Sequence, residues 1–228
     1  MRSFFAARWR LAKTWTGAVI VASLVGCSVI DVQPRCPDTI HNSYECSTWR
    51  EARIGNDSPR VFVRRDGELD VALLNGQWKH YVDVDDEQDV GNIRLYRLTG
   101  YYPGIGYVQI SEQHYEGGVE YLVSLRTGEQ TAVLSAPAVS PGGNYIAMAN
   151  VDIESGYTTS GIEIYRVAID GLKLEYSNYP HDWGAEEPCW LSSRELRFTE
   201  IRLDDGSNRV ERQRTLILDA AGANWSLH

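Results

Sequence analysis

The chain has 228 residues, a formal net charge of −9 and only four cysteines. Four of the 22 Lys and Arg residues but none of the 31 Asp and Glu residues lie in residues 1–26, so residues 27–228 carry a formal net charge of −13. Nucleic-acid binding requires a basic surface, and anionic lipid head groups repel an acidic one. The composition therefore excludes nucleic acid as an expected partner and predicts no membrane attachment through surface charge.

Residues 1–26 have the pattern of a secretory signal peptide. Four basic residues come first, at Arg2, Arg8, Arg10 and Lys13. The apolar run that follows, residues 16–26, is shorter than the roughly 20 residues that a transmembrane helix needs. A basic segment, a short apolar segment and a small residue before the cleavage site are typical of secreted precursors. We therefore expect residues 1–26 to be a signal peptide that is removed.

The stretch Leu24-Val25-Gly26-Cys27 resembles the cleavage box of bacterial lipoproteins. The resemblance implies that Cys27 becomes the first residue of the mature chain and carries acyl chains such as palmitate on its sulfur and its amine. Stable anchoring needs two or more lipid signals, since each buried CH2 group contributes about 0.8 kcal/mol. Ser28 stands where Asp tends to retain lipoproteins in the inner membrane. The resemblance thus implies the periplasmic face of the outer membrane, with the inner membrane as the alternative.

Residues 27–59 are expected to form a lipidated N-terminal tether, because they hold three of the eight prolines and show little hydrophobic periodicity. Cys36 and Cys46 bracket a short segment, and the oxidising periplasm permits disulfides, so we expect these two residues to be bonded. Cys189 is then left over as a buried, unpaired residue. The competing pairing joins Cys189 to Cys36 or Cys46.

Residues 60–228 predict an all-β domain with antiparallel meander topology. Short alternating segments begin with VFVRRDGELDVALLNGQWKHYVDV, and they are separated by turn signals such as Asp66-Gly67 and Asn75-Gly76. Nearly every later gap also contains glycine, and helical windows are scarce. Regular short strands with such turns are typical of sandwiches, barrels and propellers.

The later part of this domain has a repeated arrangement of turns and strands. Units start near Pro103, Pro141 and Pro188, and their uneven spacing fits propeller blades of about 40–50 residues. The stretches APAVSPGGNYIAMA and EPCWLSSRELRF resemble the blade-start motif of TolB-like propeller repeats, although Gly142 and Ser192-Ser193 depart from its Asp-Gly turn. The resemblance implies a propeller-like domain, and the three or four units of the mature chain predict that it is partial or small, with about four blades. A β-sandwich is the alternative.

Aromatic residues provide the candidate binding site. The stretches YYPGIGY and YSNYPHDWGAEEPCW are rich in Tyr and Trp, which offer rigid apolar area with a polar tip to protein and sugar ligands. We expect both stretches at one end of the domain. The candidate residues are Tyr101, Tyr102, Tyr179, His181 and Trp183. The competing interpretation is that these rings pack on strands, where tyrosine is common.

Motifs for catalysis are missing: the sequence contains no G-x-S-x-G, no H-E-x-x-H and no phosphate-binding loop. We therefore expect no catalytic residue, metal or cofactor. The leading hypothesis is a lipid-anchored module that binds or scaffolds a cell-envelope protein. A glycan- or peptidoglycan-binding lipoprotein is the first alternative. The second is an envelope hydrolase with acid–base groups at His181, Asp182, Glu186 and Glu187, which otherwise form a solvated loop.

Overall fold

The computed structural model describes residues 33–86 and 88–228. These residues form one α-helix, α1 (Ser43–Asp57), a short 3-10 turn (Val90–Asn92) and fifteen strands. The strands are β1 (Phe62–Arg65), β2 (Glu68–Ala72), β3 (Trp78–Val82), β4 (Leu95–Tyr102), β5 (Tyr107–Gln113), β6 (Gly118–Ser124), β7 (Gln130–Val133), β8 (Ala138–Val139), β9 (Tyr145–Asn150), β10 (Gly161–Ala168), β11 (Gly171–Asn178), β12 (Trp183–Ser192), β13 (Glu195–Leu203), β14 (Arg209–Leu218) and β15 (Trp225–Leu227). The predicted signal peptide and Cys27 lie outside the described residues.

The strands form four antiparallel sheets that follow one another along the chain. Sheet 1 contains β1–β3, sheet 2 contains β4–β7, sheet 3 contains β8–β11 and sheet 4 contains β12–β15, and neighbours in sequence are neighbours in each sheet. Asp66 and Gly67 both have positive φ, 39° and 85°, as a two-residue hairpin turn requires. The predicted all-β antiparallel meander is therefore confirmed. The four sheets are compatible with a partial propeller or with sandwich-like packing.

Successive sheets enclose separate apolar cores. The first core contains Leu69, Leu98 and Val123, the second contains Leu122, Ile146 and Tyr165, and the third contains Ile164, Trp190 and Phe198. Adjacent residues of a strand point to opposite faces of the sheet, so Leu122 and Val123 enter different cores. Sheets 2 and 3 are thus buried on both faces. Within residues 33–86 and 88–228, no core cluster joins sheet 1 to sheet 4.

Helix α1 lies inside residues 27–59, which the sequence analysis assigned to a tether. The side chain of Asn42 caps the helix by accepting a hydrogen bond from the Glu45 backbone N–H at 2.7 Å. The helix packs against β4, the edge strand of sheet 2. The prediction of a tether is therefore wrong for residues 43–57. Its buried residues are Ser47, Glu51 and Ile54, so one apolar side chain in the first core and several polar contacts hold the helix in place.

A partly buried ion-pair network attaches α1 to sheets 1 and 2. Glu51 accepts two hydrogen bonds from Arg64, each 2.9 Å long, and one from the backbone N–H of Leu98 at 2.8 Å. Asp83 accepts from Arg64 at 3.3 Å and from Arg97 at 2.8 Å. Carboxylates and guanidinium groups thus satisfy polar atoms at the edge of β4, which would otherwise be left without a strand partner.

The Cys36–Cys46 disulfide is present, with the two Cα atoms 5.8 Å apart, as predicted. Cys189 is buried as expected, but it is disulfide-bonded and not a free thiol. The expectation of an unpaired third cysteine is therefore wrong, because spacing in sequence does not determine which cysteines meet in the fold. No helix among the described residues has the length and apolar character needed to cross a membrane.

Candidate binding cleft

A cleft of about 790 Å³ opens between sheets 2 and 3, beside the start of α1. Its walls include Tyr44 from α1, Tyr115 from the β5–β6 turn and Tyr157 from the β9–β10 loop. Glu120 of β6 and Glu163 of β10 also line it. The cleft therefore collects aromatic and acidic side chains from α1 and from sheets 2 and 3 with their connecting loops.

Strand alternation places the two glutamates on facing sheets. Glu120 lies two residues from Leu122, and Glu163 lies two residues from Tyr165, so each shares a face with its neighbour. Leu122 and Tyr165 pack in the same core between sheets 2 and 3. Both carboxyl groups therefore enter this interface where the apolar core gives way to the cleft.

Glu163 is the more unusual of the two acids, since its residue is only 6% exposed. The hydroxyl of Tyr179 donates a hydrogen bond to its Oε1 atom. Its Oε2 atom is buried and has no hydrogen bond of good geometry among the described residues, although the Tyr165 hydroxyl and the backbone N–H of Leu134 lie near enough to interact with the carboxyl. Burial raises the pKa of Glu163, because desolvation disfavours the charged form.

Glu120 belongs to a more complete hydrogen-bond chain. Its Oε2 atom accepts from Nε2 of Gln109 at 2.7 Å, and Oε1 of Gln109 accepts from the hydroxyl of Tyr102 at 2.8 Å. Burial raises the pKa of Glu120, while the hydrogen bond from Gln109 acts in the opposite direction. This acid is therefore held in place by the protein's own donors.

Exposed tyrosines surround the cleft. All 13 tyrosines lie among the described residues, and only four are exposed: Tyr44, Tyr115, Tyr157 and Tyr179. The first three line the cleft, and the fourth bonds Glu163 in its wall. Tyr157 is the most exposed, at 77%. The exposed tyrosines of the chain are therefore concentrated at one site.

The loop that presents Tyr157 is held mainly by Asp152, and Nδ2 of Asn150 also donates to the Thr158 hydroxyl and the Thr159 carbonyl, both at 2.9 Å. Oδ2 of Asp152 accepts hydrogen bonds from the backbone N–H of Thr158 at 2.6 Å and from its hydroxyl at 3.0 Å. Oδ1 accepts from the Gly156 N–H at 3.1 Å. The bond from the Thr158 backbone leads the interactions that lower the pKa of Asp152 to about 2. The loop thus has a defined shape beside the cleft.

The five residues predicted to form a binding platform do not come together. Tyr102 and Trp183 are buried, at 2% and 6% exposure, and only Tyr179 and His181 are exposed. Tyr101 and Tyr102 are the last residues of β4. The loop that follows them lies beside Gly143, just before β9 begins. Tyr179, His181 and Trp183 follow the end of β11. The ends of β11 and β9 both pair with the start of β10, so they lie at the same end of sheet 3. The two groups therefore lie at opposite ends of the sheets.

The acidic loop that suggested a hydrolase has separate, exposed ion pairs. Asp182 pairs with Arg202, and Glu186 pairs with Arg209. Glu187 is exposed and has a φ of 52° at an irregularity in β12, between Glu186 and Cys189. These groups do not converge on a common point. Among the described residues, no group of three or more His, Cys, Asp or Glu side chains is arranged to hold a metal ion.

Glu120, Glu163 and three of the four exposed tyrosines were not predicted from the sequence. One signal was available: in GIEIYRV, Glu163 occupies an alternating position shared with Tyr165, so an acid stands where the pattern predicts a core residue. No protein-family model matches the chain. No curated protein is significantly similar to it. The resemblances to lipoproteins and to TolB-like repeats stay predictions.

Proposed function

We propose that this chain is a lipid-anchored binding module on the periplasmic face of the outer membrane, which binds a cell-envelope protein through the cleft between sheets 2 and 3. The observation that carries the proposal is the concentration of all four exposed tyrosines around Glu163, which is buried, and Glu120, which is half-buried. Tyrosine supplies large contact area at low entropic cost and is enriched at the centres of protein interfaces. Catalysis is not needed to explain this arrangement.

The anchoring part of the proposal rests on the sequence. A signal peptide followed by a lipoprotein cleavage box supplies a lipidated Cys27, and acyl chains provide the membrane affinity that an acidic domain lacks. The thioether uses the sulfur of Cys27, and Cys36 and Cys46 are bonded to each other, so the proposal requires that Cys189 pairs with a cysteine of another chain.

A glycan is the second candidate ligand. Tyrosine rings stack on sugar faces, and the cleft also presents the polar side chains of Gln113, Asn150 and Thr159. Sedimentation with peptidoglycan tests this alternative with a Tyr157→Ala variant. Trp183 is unsuitable for the test, because its ring is buried against Phe198 and its loss would change stability.

Site-specific photo-crosslinking in cells tests the protein-binding proposal. A benzoyl-phenylalanine replaces Tyr157 at the cleft, and the control replaces Ile169, which is 80% exposed in the β10–β11 turn at the other end of sheet 3. We expect one discrete adduct of reproducible mass from position 157 and none from position 169. The same adducts from both positions, or none from position 157, would contradict binding through the cleft.

A further inference from the structure

We propose that the cleft binds a cationic side chain, a lysine or an arginine of the partner, at the unpartnered Oε2 atom of Glu163. This inference rests on the proposed function and specifies the chemistry of its partner. It begins from one atom: Oε2 is buried at the wall of the cleft and has no hydrogen-bond partner among the described residues. A buried carboxylate oxygen without a donor is unfavourable, so a ligand that supplies one gains affinity.

The local charges favour a cation over a neutral donor. Hydrogen bonds between ionised groups are stronger than neutral ones, and a positive charge also offsets the desolvation of the carboxylate. Glu120 contributes a second acid to the same cleft. The acidic charge of residues 27–228 attracts a basic partner from a distance.

Glu163 and Glu120 differ in how well the protein already satisfies them. Glu120 accepts from Gln109 and interacts electrostatically with Arg50, a residue of α1 that also lines the cleft. Oε1 of Glu163 accepts from the hydroxyl of Tyr179, whereas Oε2 has no well-formed hydrogen bond among the described residues and only the Tyr165 hydroxyl and the Leu134 N–H lie near the carboxyl. A second cation is therefore better accommodated at Glu163 than at Glu120.

The tyrosines provide ring faces for the cation and its aliphatic stem. The protein already uses one of them in this way: the guanidinium of Arg97 lies 5.3 Å from the ring centroid of Tyr44. Tyr115 and Tyr157 are exposed at the same cleft, at 66% and 77%. Cation–π contacts of this kind favour lysine and arginine over neutral side chains.

Binding of the cation is expected to weaken as the pH falls, because protonated Glu163 cannot form the ion pair. Burial raises the pKa of this group, so the loss begins at a higher pH than for an exposed glutamate. The other titratable or charged groups of the cleft and around Glu163 are Tyr44 and Arg50 of α1, His114 and Tyr115 of the β5–β6 turn, Glu120 of β6, Tyr157 of the β9–β10 loop, Tyr165 of β10 and Tyr179 after β11.

Two isosteric probes test the inference. Nα-acetyl-arginine methylamide carries the cation, and Nα-acetyl-citrulline methylamide has nearly the same shape without the charge. Each is titrated into the full-length protein in non-ionic detergent, and binding is followed by NMR chemical-shift changes. The proteins are the wild type, Glu163→Gln and the control Glu187→Gln, which makes the same chemical change at an exposed site outside the cleft.

We expect the arginine probe to bind the wild type and Glu187→Gln at least about tenfold more tightly than the citrulline probe, as a charge-assisted bond predicts. Glu163→Gln is expected to remove that preference. Equal binding of both probes, no binding of either, or a preference that survives Glu163→Gln would overturn the inference. If Glu163→Gln fails to fold, the test uses the wild type alone: it must prefer the arginine probe to the citrulline probe, and it must lose that preference at low pH. The crosslinking at Tyr157 does not depend on the probe titration. If the cation site is overturned, the proposal that the cleft binds a protein is still tested by the crosslinking.

Discussion

The hydroxyl of Tyr179 donates a hydrogen bond to Oε1 of Glu163. This contact joins the residue that follows β11 to β10 of sheet 3, and it fixes a buried acid in the wall of the cleft. It also leaves the other carboxyl oxygen unpartnered among the described residues. The contact is thus structural on one side of the carboxyl, and the proposed ligand contact uses the other side.

Removal of this hydroxyl should destabilise the fold. The Tyr179→Phe variant removes the donor to Oε1 of Glu163, and an unsatisfied buried polar group costs about 1–3 kcal/mol. The free energy of unfolding, measured by denaturant titration, is expected to fall within that range. Tyr115→Phe is the matched control, because Tyr115 is 66% exposed, and it should change stability by less than about 0.5 kcal/mol. Equal effects of the two variants would contradict the role of Tyr179.

The attachment of α1 to the sheets should depend on Glu51. The Glu51→Gln variant removes the charge that faces Arg64, and breaking a buried pair costs about 3–5 kcal/mol. Arg64 keeps its contact with Asp83, so we expect a loss of unfolding free energy near the lower value. Asp57→Asn is the control, since the Arg53–Asp57 pair is exposed and should contribute at most about 0.5 kcal/mol. A loss below that of Asp57→Asn would show that α1 is not held by this network.

The loop that carries Tyr157 should keep its shape far into the acid range. The pKa of Asp152 is lowered from 3.8 to about 2, so its contribution to stability is present above pH 4 and is lost as the pH falls toward 2. An NMR titration of the Thr158 amide, which donates to Asp152, should give a midpoint near 2. A midpoint near 4 would show that the hydrogen bonds of this loop do not form in solution.

The chemical state of the Cys27 sulfur tests the proposed anchor. Mass spectrometry of the purified protein should find a mature chain that begins at Cys27 and carries acyl groups. One sulfur cannot hold both a thioether and a disulfide, and Cys189 is disulfide-bonded in the structure. Non-reducing peptide mapping of Cys189 is therefore the companion measurement. An intact Met1, an unmodified Cys27 or a peptide that joins Cys27 to Cys189 would contradict the lipid anchor.

The strands were predictable because their signals are local. Alternation and turn pairs such as Asp66-Gly67 directly encode hairpins, and the structure forms β1 and β2 around that pair. Helix α1 was missed because its buried face includes Glu51 in place of an apolar residue. A local signal existed, since Asn42 followed by Glu45 is a typical helix start. The pairing of Glu51 with Arg64, however, depends on tertiary structure.

The cleft was not predictable because it is assembled from distant residues. Glu120 and Glu163 belong to different sheets, and only the packing of sheet 2 on sheet 3 places both in one cleft. Aromatic density in the sequence pointed to Tyr102 and Trp183, which are buried. Exposure is decided by which face of a strand a neighbour covers. Single tyrosines in turns and loops, such as Tyr157, therefore became the accessible ones.

The most direct test of the central claim combines the two proposals at one position. The photo-crosslinker at Tyr157 is placed in cells in the Glu163→Gln background and, as the control, in the Glu187→Gln background. We predict that the yield of the discrete adduct falls at least about tenfold with Glu163→Gln, as loss of a charge-assisted contact implies, and that it is unchanged with Glu187→Gln. Equal adduct yields in both backgrounds, with both proteins folded, would contradict a binding site centred on Glu163.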